Sequence, residues 1–290
     1  MPVGQPFTQI CEALSRPRYF GRVDLHLHTT FSDGTYTPAE IVDLARRSGL
    51  SAIAITDHDT LDAIVPTQKA AGHRIEVVPG VEITTEFRGK ELHLLAYYFD
   101  PKNTPLCVAL DHLRSERVGR FHAMIERLAA LGVHLEDAAV ERLRATAALG
   151  RRHLAEMLVK AKKVATVREA FQRYLHDNGR AAVPKTRLPV DEAIALVHGA
   201  TGVASWAHPT YDCNEESLLE LKEMGLGAIE VEYPAFRASR SKELRRLAQE
   251  LGLAVTGGSD CHGPGEPHRA VGASSITHQE LMQLKEKCGD

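Results

Sequence analysis

The chain has 290 residues, 43% hydrophobic and 25% charged, enough apolar material for one large domain or one domain plus an insertion, and its composition excludes a disordered protein. It holds no run of eighteen apolar residues, and Met1–Phe20 lacks the charged-then-apolar pattern of a secretory leader, so a cytoplasmic protein without membrane association is expected, while a formal charge of -3 says little about partners. Five scattered cysteines with no Cys-x-x-Cys pair argue against a disulfide framework or a thiolate zinc site, whereas fifteen histidines are many and direct attention to metal binding.

Residues 1–20 show no clear periodicity and read as an extension. The organised chain starts near Gly21 with Arg22-Val-Asp-Leu-His-Leu-His-Thr-Thr-Phe-Ser-Asp33-Gly. In a strand, side chains alternate faces, so His26 and His28 share one side and Leu25 and Leu27 the other. Two imidazoles on one face of an apolar strand leave buried nitrogens to satisfy, at a few kcal/mol each, and a divalent ion satisfies both. Two solvent-facing histidines on a half-exposed strand is the alternative if the pair stood alone.

Next comes Thr37-Pro-Ala-Glu40, an N-cap threonine, a proline at the first helical position and a glutamate three on, which predicts a capping box and a helix ending at Gly49. Ser51-Ala-Ile-Ala-Ile-Thr56 is a short apolar run that suits a buried parallel strand. The alternation recurs through Glu76–Glu82, Glu91–Tyr98, Gly202–Trp206, Gly227–Glu232 and Leu253–Gly257, giving seven candidate strands with the first two. Between them the pattern is helical only, with helices expected over 105–131, 136–148, 151–163 and 166–177. This predicts an inserted helical subdomain, 101–187, in a discontinuous domain made of 21–100 and 188–290. The insertion is locally basic, with ten Lys or Arg against three acids over 150–187. Solvated helix faces explain most of these charges; a few facing an anionic substrate is the sharper reading.

The polar residues gather at strand ends. Thr56-Asp-His58-Asp follows the second strand, Gly80-Val-Glu82 ends the third, His93 lies within the fourth, Trp206-Ala-His208-Pro ends the fifth, and Gly258-Ser-Asp260-Cys-His262-Gly ends the last. All but His93 are at carboxyl ends, the functional edge of parallel α/β barrels and open sheets. Singly, His208 reads as a capping histidine and Glu82 as a partner for a base. Six histidines and three carboxylates in recurring positions are hard to assign to packing.

This set of motifs resembles the polymerase and histidinol phosphatase (PHP) family of metal-dependent phosphoesterases over about 21–100 and 190–265. The resemblance implies an α/β fold, a distorted seven-stranded (β/α)7 barrel carrying the all-helical insertion, and two or three divalent ions. By resemblance His26, His28, Glu82 and Asp260 hold one ion, Glu82 bridges to a second held by His93 and His208, and Asp33, His58 and His262 hold a third. Cys261, between the aspartate and the histidine, is expected to point away from the metals. The helical insertion, with Gly150-Arg-Arg-His-Leu-Ala and Val183-Pro-Lys185, resembles the bacterial branch acting on nucleotides, the 3′,5′-bisphosphonucleotide phosphatases and the 5′-to-3′ exoribonucleases of short RNA.

The expected reaction is in-line attack on phosphorus by a metal-bridging hydroxide held through Glu82, Asp260 and His208, with Arg151, Arg152 and Lys185 gripping the substrate. Nitrogen and oxygen donors without thiolate suit manganese, iron or zinc, and manganese is expected, partly by resemblance. The expected substrate is a phosphorylated nucleotide, above all the 3′-phosphate of a 3′,5′-bisphosphonucleotide, or a short oligoribonucleotide; no obligate protein partner is inferred. Histidinol-phosphate phosphatase, a metal-bound structural module and a non-catalytic nucleic-acid-binding module are the alternatives.

Overall fold

The computed structural model describes residues 21–136, 148–210 and 212–288. The expected extension over 1–20 and almost all of the expected helix over 136–148 lie outside the described residues. Strands β1 (Arg22–Asp24), β2 (Leu50–Ile55) and β3 (Glu76–Phe87) are parallel; β4 (Lys90–Tyr97) runs antiparallel to β3 and to β6 (Val203–Trp206); β7 (Ala228–Glu232) and β8 (Ala254–Gly257) continue parallel to β6. Two short strands join them, β5 (Leu188–Pro189) beside β3 and β9 (Ile276–Thr277) antiparallel to β1. The order β8-β7-β6-β4-β3-β2-β1-β9 curls until the chain after β1 meets the chain after β8. Leu25 N–H donates to Gly257 O at 3.0 Å, Asp260 N–H to His26 O at 2.8 Å and His28 N–H to Cys261 O at 3.1 Å. These bonds nearly close the barrel, and the α/β barrel read from the sequence is the fold of the chain.

Three details differ from expectation. The first strand stops at Asp24, and beyond it only Leu27 makes a bridge, to Cys261. Strict alternation therefore lapses: Leu25 joins the cluster inside the barrel, while Leu27 packs with Ile41, Ile53 and Cys261. The third strand runs past Glu82 to Phe87 because its last residues pair with the antiparallel β4, Thr84 opposite His93. Finally, the last expected helix is one α turn, α5 (Val167–Ala170), continued by a π-helical turn over Phe171–Leu175.

The seven main strands all contribute to one buried cluster (Val23, Ala52, Ala54, Val78, Leu95, Tyr97, Val203, Ala228, Ala254), so this cluster fills the barrel. Helix α1 (Pro38–Arg47) begins with the predicted box: Glu40 N–H donates to Thr37 Oγ1 at 3.3 Å and Thr37 N–H to Glu40 Oε2 at 2.8 Å. It packs Ile41, Val42 and Ala45 on β2. Helices α2 (Ile64–Ala71), α6 (Val190–Gly199), α7 (Glu215–Glu223), α8 (Ala238–Leu251) and α9 (His278–Glu286) complete the outer layer. Helix α3 (Thr104–Ala130) belongs to two cores. Leu106, Leu110 and Leu113 pack with the barrel, whereas Phe121, Met124 and Leu128 build a second core with Leu154 and Leu158 of α4 (Arg151–Lys160) and with Leu175. Each such fully buried side chain contributes about 1.5–3 kcal/mol. Between the two halves sits a buried cation, Arg117.

Candidate metal centre

The nine acids and histidines singled out in the sequence meet at one mouth of the barrel. Glu82, buried at the centre, faces five imidazoles: Oε2 lies 3.4 Å from His26 Nε2, 3.2 Å from His28 Nε2 and 3.1 Å from His58 Nδ1, and Oε1 lies 2.7 Å from His93 Nδ1 and 3.0 Å from His208 Nε2. Asp260 Oδ1 is 3.5 Å from His26 Nε2, 3.3 Å from His28 Nε2 and 3.4 Å from His262 Nδ1. Asp33 Oδ1 is 3.2 Å from His262 Nε2 and 3.8 Å from both His28 Nδ1 and His58 Nε2. Because β4 is antiparallel, His93 arrives from mid-strand rather than from a carboxyl end, with the β3–β4 hairpin projecting at the mouth.

The donor chemistry fits divalent ions. Among the described residues His26 Nε2, His28 Nε2, His58 Nδ1 and Asp33 Oδ1 are buried without a hydrogen bond, a costly state that a cation removes. Three donor sets lie within 4.8 Å: His26, His28 and Glu82; His58, Glu82 and His93; and His28, Asp33, His58 and His262. Burial alone would raise the Glu82, Asp33 and Asp260 carboxyls, but the facing imidazoles outweigh it and hold all three well below the carboxylate range. Burial holds the His58 imidazole well below its ordinary value, in the neutral form a metal needs. Against the same desolvation, Glu230, Asp260 and Glu82 push His26 well above its ordinary value, so a proton and a metal compete for its ring.

Several positioning groups were not read from the sequence. Glu230, fully buried on β7, meets His26 Nδ1 at 3.0 Å and accepts the His208 N–H at 2.5 Å. Asp57 accepts Thr29 N–H at 2.7 Å and Thr29 Oγ1 at 2.6 Å, and also Ser32 Oγ, fixing the loop that carries Asp33. Asp24 does the same for the last loop through Ser259 and Gly272. Asp260 Oδ2 is held by Tyr233 OH at 3.0 Å and by Arg269, which turns Oδ1 to the histidines. Asp59, His208 and Asp260 sit at φ +51°, +30° and +49°, left-handed conformations that cost about 1–3 kcal/mol each and cluster at functional sites. A single acid inside an apolar strand, as in Ala228-Ile-Glu-Val-Glu232, was the only sequence signal for any of these.

The three basic candidates separate. Lys185 Nζ donates to Glu91 Oε1 at 2.8 Å and lies 3.4 Å from His93 Nε2, at the edge of the cluster. Arg152 faces Glu156 at 3.5 Å and Glu266 at 3.7 Å, and Glu266 also meets Arg269 at 3.3 Å. Arg151 donates to Leu175 O at 3.1 Å and to Asp177 at 2.5 Å and stacks over Phe171, so its described partners all lie in the helical segment. Cys261 is buried beside Leu27 and Ile41.

Residues 24–176 match the PHP domain. The chain belongs to the PHP family. It is 31% identical over 259 residues to the 5′-3′ exoribonuclease Rnm of Escherichia coli (strain K12), covering 87% of this chain and 88% of that protein. It is 30% identical over 257 residues to the 3′,5′-nucleoside bisphosphate phosphatase of Chromobacterium violaceum, covering 86% and 90%. A solved structure from Bifidobacterium adolescentis, provisionally described as a metal-dependent phosphoesterase, superposes with a TM-score of 0.85 at 30% identity, covering 92% of this chain and 96% of that one. This PHP protein is thus a hydrolytic enzyme, a metal-dependent phosphoesterase with a His/Asp/Glu cluster able to bind metal. Among its described residues no helix is long and apolar enough to cross a membrane.

Proposed function

We propose that this phosphoesterase removes the 3′-phosphate of a 3′,5′-bisphosphonucleotide, giving a nucleoside 5′-monophosphate and phosphate. The observation that carries the reading is Lys185, a cation of the basic helical segment standing 3.4 Å from His93 at the metal cluster. There it can meet a second phosphate while the first lies on the cluster, exchanging its bond to Glu91 for one to the substrate. Arg152, opposite Glu266, is the second candidate grip, and Arg matches a phosphate with paired donors. The ions, which we take to be manganese with iron or zinc as alternatives, would be held by the nine clustered residues and supply Lewis acidity and an acidified water. The protein's own part is to fix that cluster: Glu82 between the imidazoles, Asp260 oriented by Tyr233 and Arg269, His208 placed by Glu230.

One observation favours a second reading, 5′-3′ exoribonuclease action on short RNA. A groove of about 480 Å³ is lined by Phe87, Arg88, Lys90, Glu91 and Trp206, and Glu91 also meets His93 at 2.8 Å, so there is room beside the cluster for a following nucleotide. Manganese-loaded protein incubated with adenosine 3′,5′-bisphosphate and, separately, a short 5′-phosphorylated RNA decides between them by anion-exchange separation of products. Faster release of phosphate from the bisphosphate supports the first reading; mononucleotides from RNA with an untouched bisphosphate overturn it.

A further inference from the structure

His93 lies between two carboxylates. Its Nδ1 stands 2.7 Å from Glu82 Oε1 in the cluster, and its Nε2, across the ring, stands 2.8 Å from Glu91 Oε1. Glu91 is two residues earlier on β4, so strand alternation puts both side chains on one face. His26 has a similar arrangement, with Glu230 3.0 Å from its Nδ1, but the two carboxylates differ in their company. Glu230 is fully buried, and its other oxygen takes a backbone N–H. Glu91 is half-buried and meets two cations. Lys185 Nζ donates to the same Oε1 at 2.8 Å and lies 3.4 Å from His93 Nε2, while Arg187 Nε stands 3.4 Å from Oε2.

Both cations ride on the stretch that returns from the helical segment to the barrel. Arg120 of α3 donates to Val183 O at 2.8 Å, Thr186 Oγ1 donates to Glu116 at 2.9 Å, and Leu188 of β5 pairs with Thr85 of β3. The backbone is thus fastened on either side of Lys185. A neutral imidazole carries one N–H and one lone pair. With the proton on Nε2, Glu91 accepts it and the Nδ1 lone pair faces the cluster. With the proton on Nδ1, Lys185 can donate to Nε2, and the nitrogen facing the cluster is blocked to a cation. A carboxylate accepts and cannot donate, so Glu91 favours the first tautomer, whereas Lys185 favours the second.

We infer that Glu91 is a positioning residue of the metal centre: it keeps the His93 proton on Nε2 and so leaves Nδ1 open to a cation, and Lys185 opposes it. The inference rests on the reading of His93 as a metal ligand and not on the choice of nucleotide. The donor set His58, Glu82 and His93 then takes its affinity partly from the returning stretch, which shares Glu91 with the ring. Glu91 strengthens that set by fixing the tautomer and adding negative charge behind the ring. The Lys185 ammonium weakens it by drawing on the same oxygen and by adding positive charge near the cluster.

Calorimetric titration of manganese into metal-free protein tests this with the wild type, Glu91→Gln, Lys185→Met and His93→Ala. Glu91→Gln is expected to bind manganese about tenfold more weakly. Lys185→Met is expected to bind it about threefold more tightly. The opposite signs separate positioning from mere support of the fold, since damage to this corner would weaken binding in both variants; weaker binding in both overturns the inference. Loss of affinity in His93→Ala without any in Glu91→Gln also overturns it while leaving His93 a ligand, whereas unchanged affinity in His93→Ala overturns both readings. Nitrogen NMR of the zinc-loaded wild type, which is diamagnetic, needs no variant. The His93 ring is expected to show a protonated Nε2 and a metal-bound Nδ1, and the reverse assignment overturns the inference.

Discussion

Glu230 touches His26 Nδ1 at 3.0 Å through one oxygen and receives the backbone N–H of His208 through the other, so one buried carboxylate aims the His26 imidazole and fixes the backbone that carries His208. A histidine whose inner nitrogen is held this way presents the outer one with fixed tautomer and direction. Glu230→Gln should therefore keep the fold but lower metal affinity about 10- to 100-fold. Manganese titration followed by activity reads the effect, and full rescue of turnover at high manganese is expected if Glu230 acts only through its two histidines.

Asp260 and Cys261 are neighbours with opposite surroundings. Asp260 faces three histidines, while Cys261 is buried among Leu27 and Ile41, where burial also raises its thiol. Asp260→Ala should abolish turnover and reduce bound metal. Cys261→Ala removes one buried sulfur and should cost about 1 kcal/mol of stability with turnover nearly intact. Equal losses of turnover in the two variants would contradict the opposed orientation.

Lys185 and Arg152 are expected to choose the substrate rather than perform the chemistry. Binding energy made with a part of the substrate remote from the reacting atoms is felt only by substrates that carry that part. Lys185→Ala and Arg152→Ala should thus lower kcat/KM for a 3′,5′-bisphosphonucleotide by about tenfold or more, as loss of a charged phosphate contact does. Hydrolysis of p-nitrophenyl phosphate should change much less. Parallel losses on both substrates, with metal content intact, would place these residues on the transferred phosphate instead.

Far from the mouth, Glu280 closes the capping box of α9 and pairs with Arg245. Burial would raise its carboxyl, yet the Thr277 N–H and the Arg245 guanidinium outweigh burial and hold it below its ordinary 4.5. A depressed carboxyl stabilises the fold above the unfolded value and loses that contribution as pH falls through the folded one. Glu280→Gln should melt lower than wild type at pH 7, and the gap should shrink as the pH drops below about 4. Paired melting curves across that range check it; a gap independent of pH would mean that the carboxylate charge is irrelevant.

Strand alternation put His26 and His28 on one side, and they do share the mouth, although the regular strand ends at Asp24 and Leu25 and Leu27 enter different cores. What holds the two imidazoles together is the set of backbone bonds to residues 257–261, invisible to a local pattern. His93 was legible as a strand residue, but the direction of its strand was not, since a hydrophobic run looks the same parallel or antiparallel. Arg117 was silent for another reason. One of four arginines in a 27-residue helix reads as solvated surface, and only the packing of that helix on the barrel brings it to Asp59, 58 positions earlier. The basic segment was legible as charge, while the division of labour among Arg151, Arg152 and Lys185 depends on which acids fold up beside them.

The bridge between Leu27 and Cys261 also sets a timetable. A ribosome that has delivered every donor from His26 to His93 must still synthesise more than a hundred residues before His208 emerges, and some fifty more before Asp260 and His262 follow. Contacts of such separation form late, because the chain between them has to be closed into a loop first. The nascent polypeptide therefore offers only a partial, open set of imidazoles and carboxylates, and the barrel can close around its full complement only after translation has passed Asp260. The full set of nine side chains is therefore offered to an ion only by the finished chain, once the barrel has closed.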